Sequence, residues 1–132
     1  MTNKRINRCS PYDGMLHEVV EHAGVPYFAG IVAEDTALDM SGQAEDVLGQ
    51  LTRLLRANGS DVSAMLQVTI YVTNLDEKDD LNRAWKTLIA ERDLPARAIV
   101  GVANLGPSVK LELTAIAARL ANCGESMRSR TS

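Results

Sequence analysis

Aromatic residues are scarce in this chain, with one Trp, three Tyr and one Phe among 132 residues. A nucleic-acid surface needs stacking rings interleaved with a basic stripe, and the net charge here is −3. The arginines of Met127-Arg128-Ser129-Arg130 stand in a polar tail after about Asn122, where a solvated chain end is the expectation. Nucleic acid is therefore not an expected partner. Cysteine is equally sparse: Cys9 and Cys123 lie near opposite ends, with neither a CxxC spacing nor a histidine beside them, so unpaired thiols are expected and no metal cluster is read. His17 and His22 fall five apart in a strand-like segment, on opposite faces, which speaks against a zinc pair. No apolar run approaches the roughly 20 residues of a membrane span. The basic first residues have no apolar segment behind them, so no secretory signal is read and the cytoplasm is the expected compartment.

What the chain does have is a regular alternation of short apolar patterns. His17 to Ala23 and Val25 to Val32 are β-rich and separated by Ala23-Gly24, which reads as a hairpin. After a polar connection, Ser41 is the expected N-cap of a helix whose stripe is Ala44, Val47, Leu48, Leu51, Leu54 and Leu55, stopped by Asn58-Gly59. Met65 to Thr73 is a strand that sorts Leu66, Val68, Ile70 and Val72 onto one face and Gln67, Thr69, Tyr71 and Thr73 onto the other. A second helix is expected from about Glu77 to Arg92, acidic in its first turn, with Leu81, Ala84, Trp85, Leu88 and Ile89 inward. Two further strands follow, around Gly106-Pro107.

The order β-β-α-β-α-β-β predicts an α+β single domain, a mixed sheet with both helices on one face. We place an N-terminal segment at 1–16, the domain at 17–119 and a polar tail at 120–132. The last strand is apolar on both sides, yet the chain has no third layer, so the bare sheet face is expected to be covered by oligomerisation.

Two charges stand out because they sit among apolar strand residues, where an unpaired charge is costly. Arg97 follows Pro95 near the head of the first of the two C-terminal strands. Either its stem lies on the sheet with its head in water, or its guanidinium fork holds a carboxylate by two parallel hydrogen bonds. Glu112 lies between Leu111 and Leu113, as one half of a salt bridge or as a general acid or base. A tight Gly106-Pro107 hairpin would set Glu112 opposite about Gly101 or Val102 and leave the two Cα atoms about 15 Å apart. On the second helix, Asn82 and Trp85 are three residues apart and share a side; Trp85 belongs to the core stripe, and Asn82 at its edge can cap, pair with the sheet or meet a ligand. P-loop, GxGxxG, GxSxG and HExxH patterns are all absent.

Pro95-Ala96-Arg97, an apolar strand, Leu105, a Gly/Pro turn and Val109-Lys110-Leu111-Glu112-Leu113 with Ala115-Ile116-Ala117 resemble the C-terminal signature of the YjgF/RidA family, also called the endoribonuclease L-PSP family. Weaker likeness runs over residues 17–119, through Ala29-Gly30, Thr69 to Asn74 with Leu75, Asp80-Leu81-Asn82 and Trp85. The resemblance implies a chorismate-mutase-like fold assembled as a homotrimer, with sheets facing the centre and clefts between adjacent subunits. It also implies hydrolysis of imines and enamines such as 2-aminoacrylate to 2-oxo acids and ammonia, without cofactor or metal. By that likeness Arg97 would hold the substrate carboxylate and Glu112 would handle the attacking water. Asn82, Ala29, Gly30, Trp85 and Ile99 would line the cleft. Ile99 stands where well-studied members carry a cysteine. Leu16 stands near where they carry a tyrosine, with Tyr12 the nearest one here. The rival expectation is a trimer that binds small carboxylates such as 2-oxo acids without turning them over.

Overall fold

The computed structural model describes residues 2–6 and 14–121. Cys9, Tyr12, Cys123 and the tail from residue 122 onward lie outside the described residues. Among the described residues six strands form one sheet: β1 (Lys4–Ile6), β2 (Val19–His22), β3 (Val25–Ile31), β4 (Met65–Val72), β5 (Ala96–Gly101) and β6 (Leu111–Ala117), in the order β1-β2-β3-β6-β4-β5. Only β4 and β5 run parallel. Two helices, α1 (Met40–Ala57) and α2 (Lys78–Leu88), complete the α+β architecture.

The β2–β3 hairpin forms where expected, because Ala23 (φ 53) and Gly24 (φ 79) both take the left-handed conformation that a two-residue turn between twisted strands requires. Strand β1 was not legible in the sequence: three residues paired to β2 carry too short a pattern to register. The first helix ends at Asn58-Gly59 as read, with Gly59 at φ 74. Its start differs. Asp39, not Ser41, is the N-cap, its carboxylate accepting from the Gly42 amide at 2.9 Å. Met40, just inside, is fully buried, so the chain is anchored before Ser41 is reached. Asp39→Ala is accordingly expected to cost about 1 kcal/mol and Ser41→Ala less than about 0.5 kcal/mol in urea unfolding; equal effects would restore Ser41 as the cap.

The second helix is shorter than the expected Glu77–Arg92 span. It is preceded by one 3₁₀ turn, Leu75–Glu77, and closes at Leu88, after which Ile89 turns extended (φ −122, ψ 119). Ile89 is still buried, so it serves the core as the chain leaves the helix for the edge of the sheet. Leu66 also departs from expectation. The register slips by one residue between Met65 and Gln67, which is a bulge, and it turns Leu66 outward while Met65 is buried in its stead.

The largest correction concerns the C-terminal pair of strands, which do not form a hairpin. The helix between β4 and β5 carries the chain back to run parallel to β4, as a crossover of that length allows. The last strand then returns on the other side of β4, between it and β3. Leu111, Leu113, Ala115 and Ala117 are all buried beneath the helices, as suits a strand central to the sheet, while Glu112, Thr114 and Ile116 alternate onto the open side. Gln43 of α1 holds the return loop in place. Completely buried, it donates to the carbonyls of Thr36, Leu38 and Ser108 and accepts from the Lys110 amide at 3.0 Å.

Candidate functional site

The strand register sorts every candidate residue onto a face. On the helix side, successive rows across β6, β4 and β5 are Ala115–Val68–Arg97, Leu113–Ile70–Ile99 and Leu111–Val72–Gly101. On the open side they are Ile116–Gln67–Ala96, Thr114–Thr69–Ala98 and Glu112–Tyr71–Val100. Arg97 and Glu112 therefore project from opposite faces of the sheet. They also stand three residues apart along the strands and two strands apart across them, about 14 Å between Cα atoms. One chain does not bring them into a single pocket. It builds two separate clusters.

The first cluster surrounds Arg97. The guanidinium carbon lies over the ring of Trp85, 4.9 Å from its centroid, and both residues line a cleft of about 310 Å³ with Asn82, Lys86, Leu94 and Pro95. Trp85 is itself buried, so α2 presents a fixed aromatic face to a strand-edge arginine. Among the described residues no carboxylate lies within ion-pairing distance of Arg97. Loss of hydration against the cleft lowers its pKa from the ordinary arginine value. Arg97 is otherwise exposed, and a cation backed by an aromatic ring with its donor fork unengaged is suited to a planar carboxylate. One turn before Trp85, the side-chain carbonyl of Asn82 is buried without a hydrogen-bond partner. Of the sequence candidates, Asn82, Trp85 and Arg97 meet here. Ile99 does not line the cleft; it packs on the hydrophobic core. Lys86 and Leu94 were missed by the sequence reading, although their adjacency to Trp85 and Pro95 was the available signal.

The second cluster lies on the open face. Glu112 is half-buried, cross-strand from Tyr71, and its carboxyl group covers Gly30 of β3. The fit is close enough that a Cβ on Gly30 would fall on the Glu112 carboxylate. The β3–β6 register shifts between Phe28 and Ile31, and this irregularity is what brings the bare Gly30 backbone against the acid. Ala29 beside it is half-buried, and its amide is already engaged by the Glu18 carbonyl at 2.9 Å.

Elsewhere an apolar groove of about 280 Å³ runs between α1 and α2, lined by Leu48, Thr52, Val62 and Leu88 among others. Its one titratable lining group is Glu45, so it has no cation with which to hold an acid. Among the described residues no three His, Cys, Asp or Glu side chains are grouped as a metal would require, and no helix is long and apolar enough to cross a membrane.

The family described as Endoribonuclease L-PSP matches residues 4–119. A RutC family protein from Haemophilus ducreyi is 33% identical over 101 residues, covering 76% of this chain and 86% of its own. A Salmonella typhimurium protein named 2-iminobutanoate/2-iminopropanoate deaminase is 34% identical over 92 residues, covering 68% and 69%. Among solved structures, a member of the YjgF protein family from Neisseria meningitidis superposes with a TM-score of 0.81 at 27% identity, over 91% of this chain and 97% of that one. The chain belongs to the Endoribonuclease L-PSP family, the YjgF/RidA family, and has its chorismate-mutase-like fold.

Proposed function

We propose that this protein hydrolyses 2-imino acids and their enamine tautomers to 2-oxo acids and ammonia, in clefts between the subunits of a homotrimer. The observation that carries this reading is the Arg97 guanidinium, held over the Trp85 ring at the mouth of the cleft and without a carboxylate partner among the described residues. The Salmonella relative named for this reaction supports it. The open sheet face supports the assembly. Gln67, Thr69, Tyr71, Thr114 and Ile116 leave a row of polar and apolar groups over which the described residues place no layer, and burying that face against a neighbour would cover it. In such an assembly the Arg97 cluster of one subunit faces the Gly30–Glu112 cluster of the next.

The chemistry suits these parts. Arg97 holds the substrate carboxylate at two points and so fixes the imine carbon in place. Glu112 takes a proton from water as the water oxygen bonds to that carbon. The electron pair of the C=N bond goes to nitrogen, which takes that proton from Glu112 and completes the carbinolamine. Glu112 then accepts the carbinolamine hydroxyl proton and passes it to the nitrogen, the C–N bond breaks, ammonia leaves and the oxygen becomes the 2-oxo group. Asn82 and the Gly30 backbone line the cleft around this exchange.

The test generates 2-aminoacrylate from serine with a pyridoxal-phosphate dehydratase and follows pyruvate. Faster pyruvate formation with the protein than without is expected. Unchanged formation, with saturable binding of 2-oxobutanoate in calorimetry, would replace the enzyme by a carboxylate binder. Light scattering at micromolar concentration is expected to give a trimer, and a monomer would remove the shared cleft.

A further inference from the structure

The position of Trp85 has a consequence beyond lining the cleft. A strand-end arginine has four rotatable bonds, and holding its head for a ligand means restricting them. A carboxylate partner would do this but would occupy the N–H fork that the ligand needs. An aromatic face restrains the guanidinium through its π surface and leaves the in-plane N–H groups free. Here the ring is buried, fixed by the α2 stripe of Leu81, Ala84 and Trp85 in the core, and Arg97 lies over it at 4.9 Å. Pro95, two residues earlier, restricts the backbone from which Arg97 projects. Val68 and Ala115, its row neighbours on the helix side, are aliphatic and offer no hydrogen bond that would hold the head elsewhere.

We infer that Trp85 is the positioning residue for Arg97: a rigid aromatic shelf that holds the guanidinium ready for a carboxylate without spending its hydrogen-bond donors. The inference rests on the carboxylate-binding part of the proposed function and does not require turnover. It also makes a distinctive spectroscopic demand, because Trp85 is the one tryptophan of the chain. Occupancy of Arg97 changes the charge over the indole, so tryptophan emission reports directly on the site.

The experiment titrates the full-length protein with 2-oxobutanoate, following emission and, in parallel, heat. A saturable emission change with the same midpoint as the calorimetric Kd is expected, and it is absent in Arg97→Gln. Trp85→Phe, which keeps a ring face, is expected to bind within about 3-fold of wild type. Trp85→Leu is expected to weaken binding about 10-fold or more, with an unchanged circular dichroism spectrum and, where turnover is measurable, a raised KM and a kcat within about 3-fold. Equal weakening by Phe and Leu, or none by Leu, would reduce Trp85 to a core residue. So would wild-type emission blind to a ligand that calorimetry detects, a reading that stands even where Trp85→Leu fails to fold. No binding by wild type removes the carboxylate site and this inference with it. Turnover failing while the emission and Kd pattern holds removes only the enzymatic reading.

Discussion

Arg97→Gln is expected to lower kcat/KM for 2-aminoacrylate by about 10²- to 10³-fold while changing folding stability by less than about 1 kcal/mol. Each charge-assisted hydrogen bond to a carboxylate contributes about 1.5–3 kcal/mol, and the guanidinium fork makes two. Gln keeps a neutral N–H donor and so recovers part of that sum of about 3–6 kcal/mol; a net loss of about 3–4 kcal/mol sets the size of the kinetic effect at about 1.4 kcal/mol per tenfold. The stability side follows from the pairing pattern. Among the described residues Arg97 has no ion pair, so what the substitution removes from the folded chain is chiefly the contact with Trp85. Coupled pyruvate assays and thermal unfolding on the same preparation check both halves. A variant that loses activity only as it loses structure would make Arg97 a structural residue, and one that keeps wild-type kcat/KM would take it out of the site.

Gly30→Ala is expected to lower kcat by about 10²-fold with a small change in stability. The added methyl group would meet the Glu112 carboxyl group, which is the far end of a flexible side chain and can swing away at little cost to the fold. What is lost is the placement of the acid, and a positioned general base contributes about 10²- to 10⁴-fold. The double-mutant cycle isolates the cause. If Gly30 acts by making room for Glu112, adding Gly30→Ala to Glu112→Ala changes kcat by less than about 3-fold, because the group being displaced is already gone. Multiplicative losses would instead assign Gly30 an independent role, such as backbone contact with the substrate.

These two predictions concern different faces of one sheet, and that division was not legible in the sequence. Period-2 alternation tells which residues of one strand share a face; it says nothing about which strand lies beside which. Gly106-Pro107 looks locally like a hairpin turn. The hydrogen bonds that overrule it are non-local: β6 pairs with β3, more than 80 residues earlier in the chain, and with β4. Gln43 fixes the same loop from a helix some 65 residues away, and nothing in the local pattern marks it for that task.

Much else followed from short-range physics. Ala23-Gly24 turns, Asn58-Gly59 stops a helix, and the stripes of Leu and Val at helical spacing are largely buried where their period places them, because each depends on backbone sterics or on one element's own amphipathicity; Leu88, expected inward at the end of the second helix, is instead exposed, since the chain turns extended at the next residue and Ile89 takes the core position. The alternation of elements was enough for the α+β class, and Arg97 and Glu112 announced themselves as charges in apolar strands. What only the tertiary structure decided was the company they keep: Arg97 over Trp85 on the helix side, Glu112 over Gly30 on the open side. Face and neighbour are set by the insertion of β6 between β3 and β4, a choice made by the whole core's burial and not by any segment's propensity.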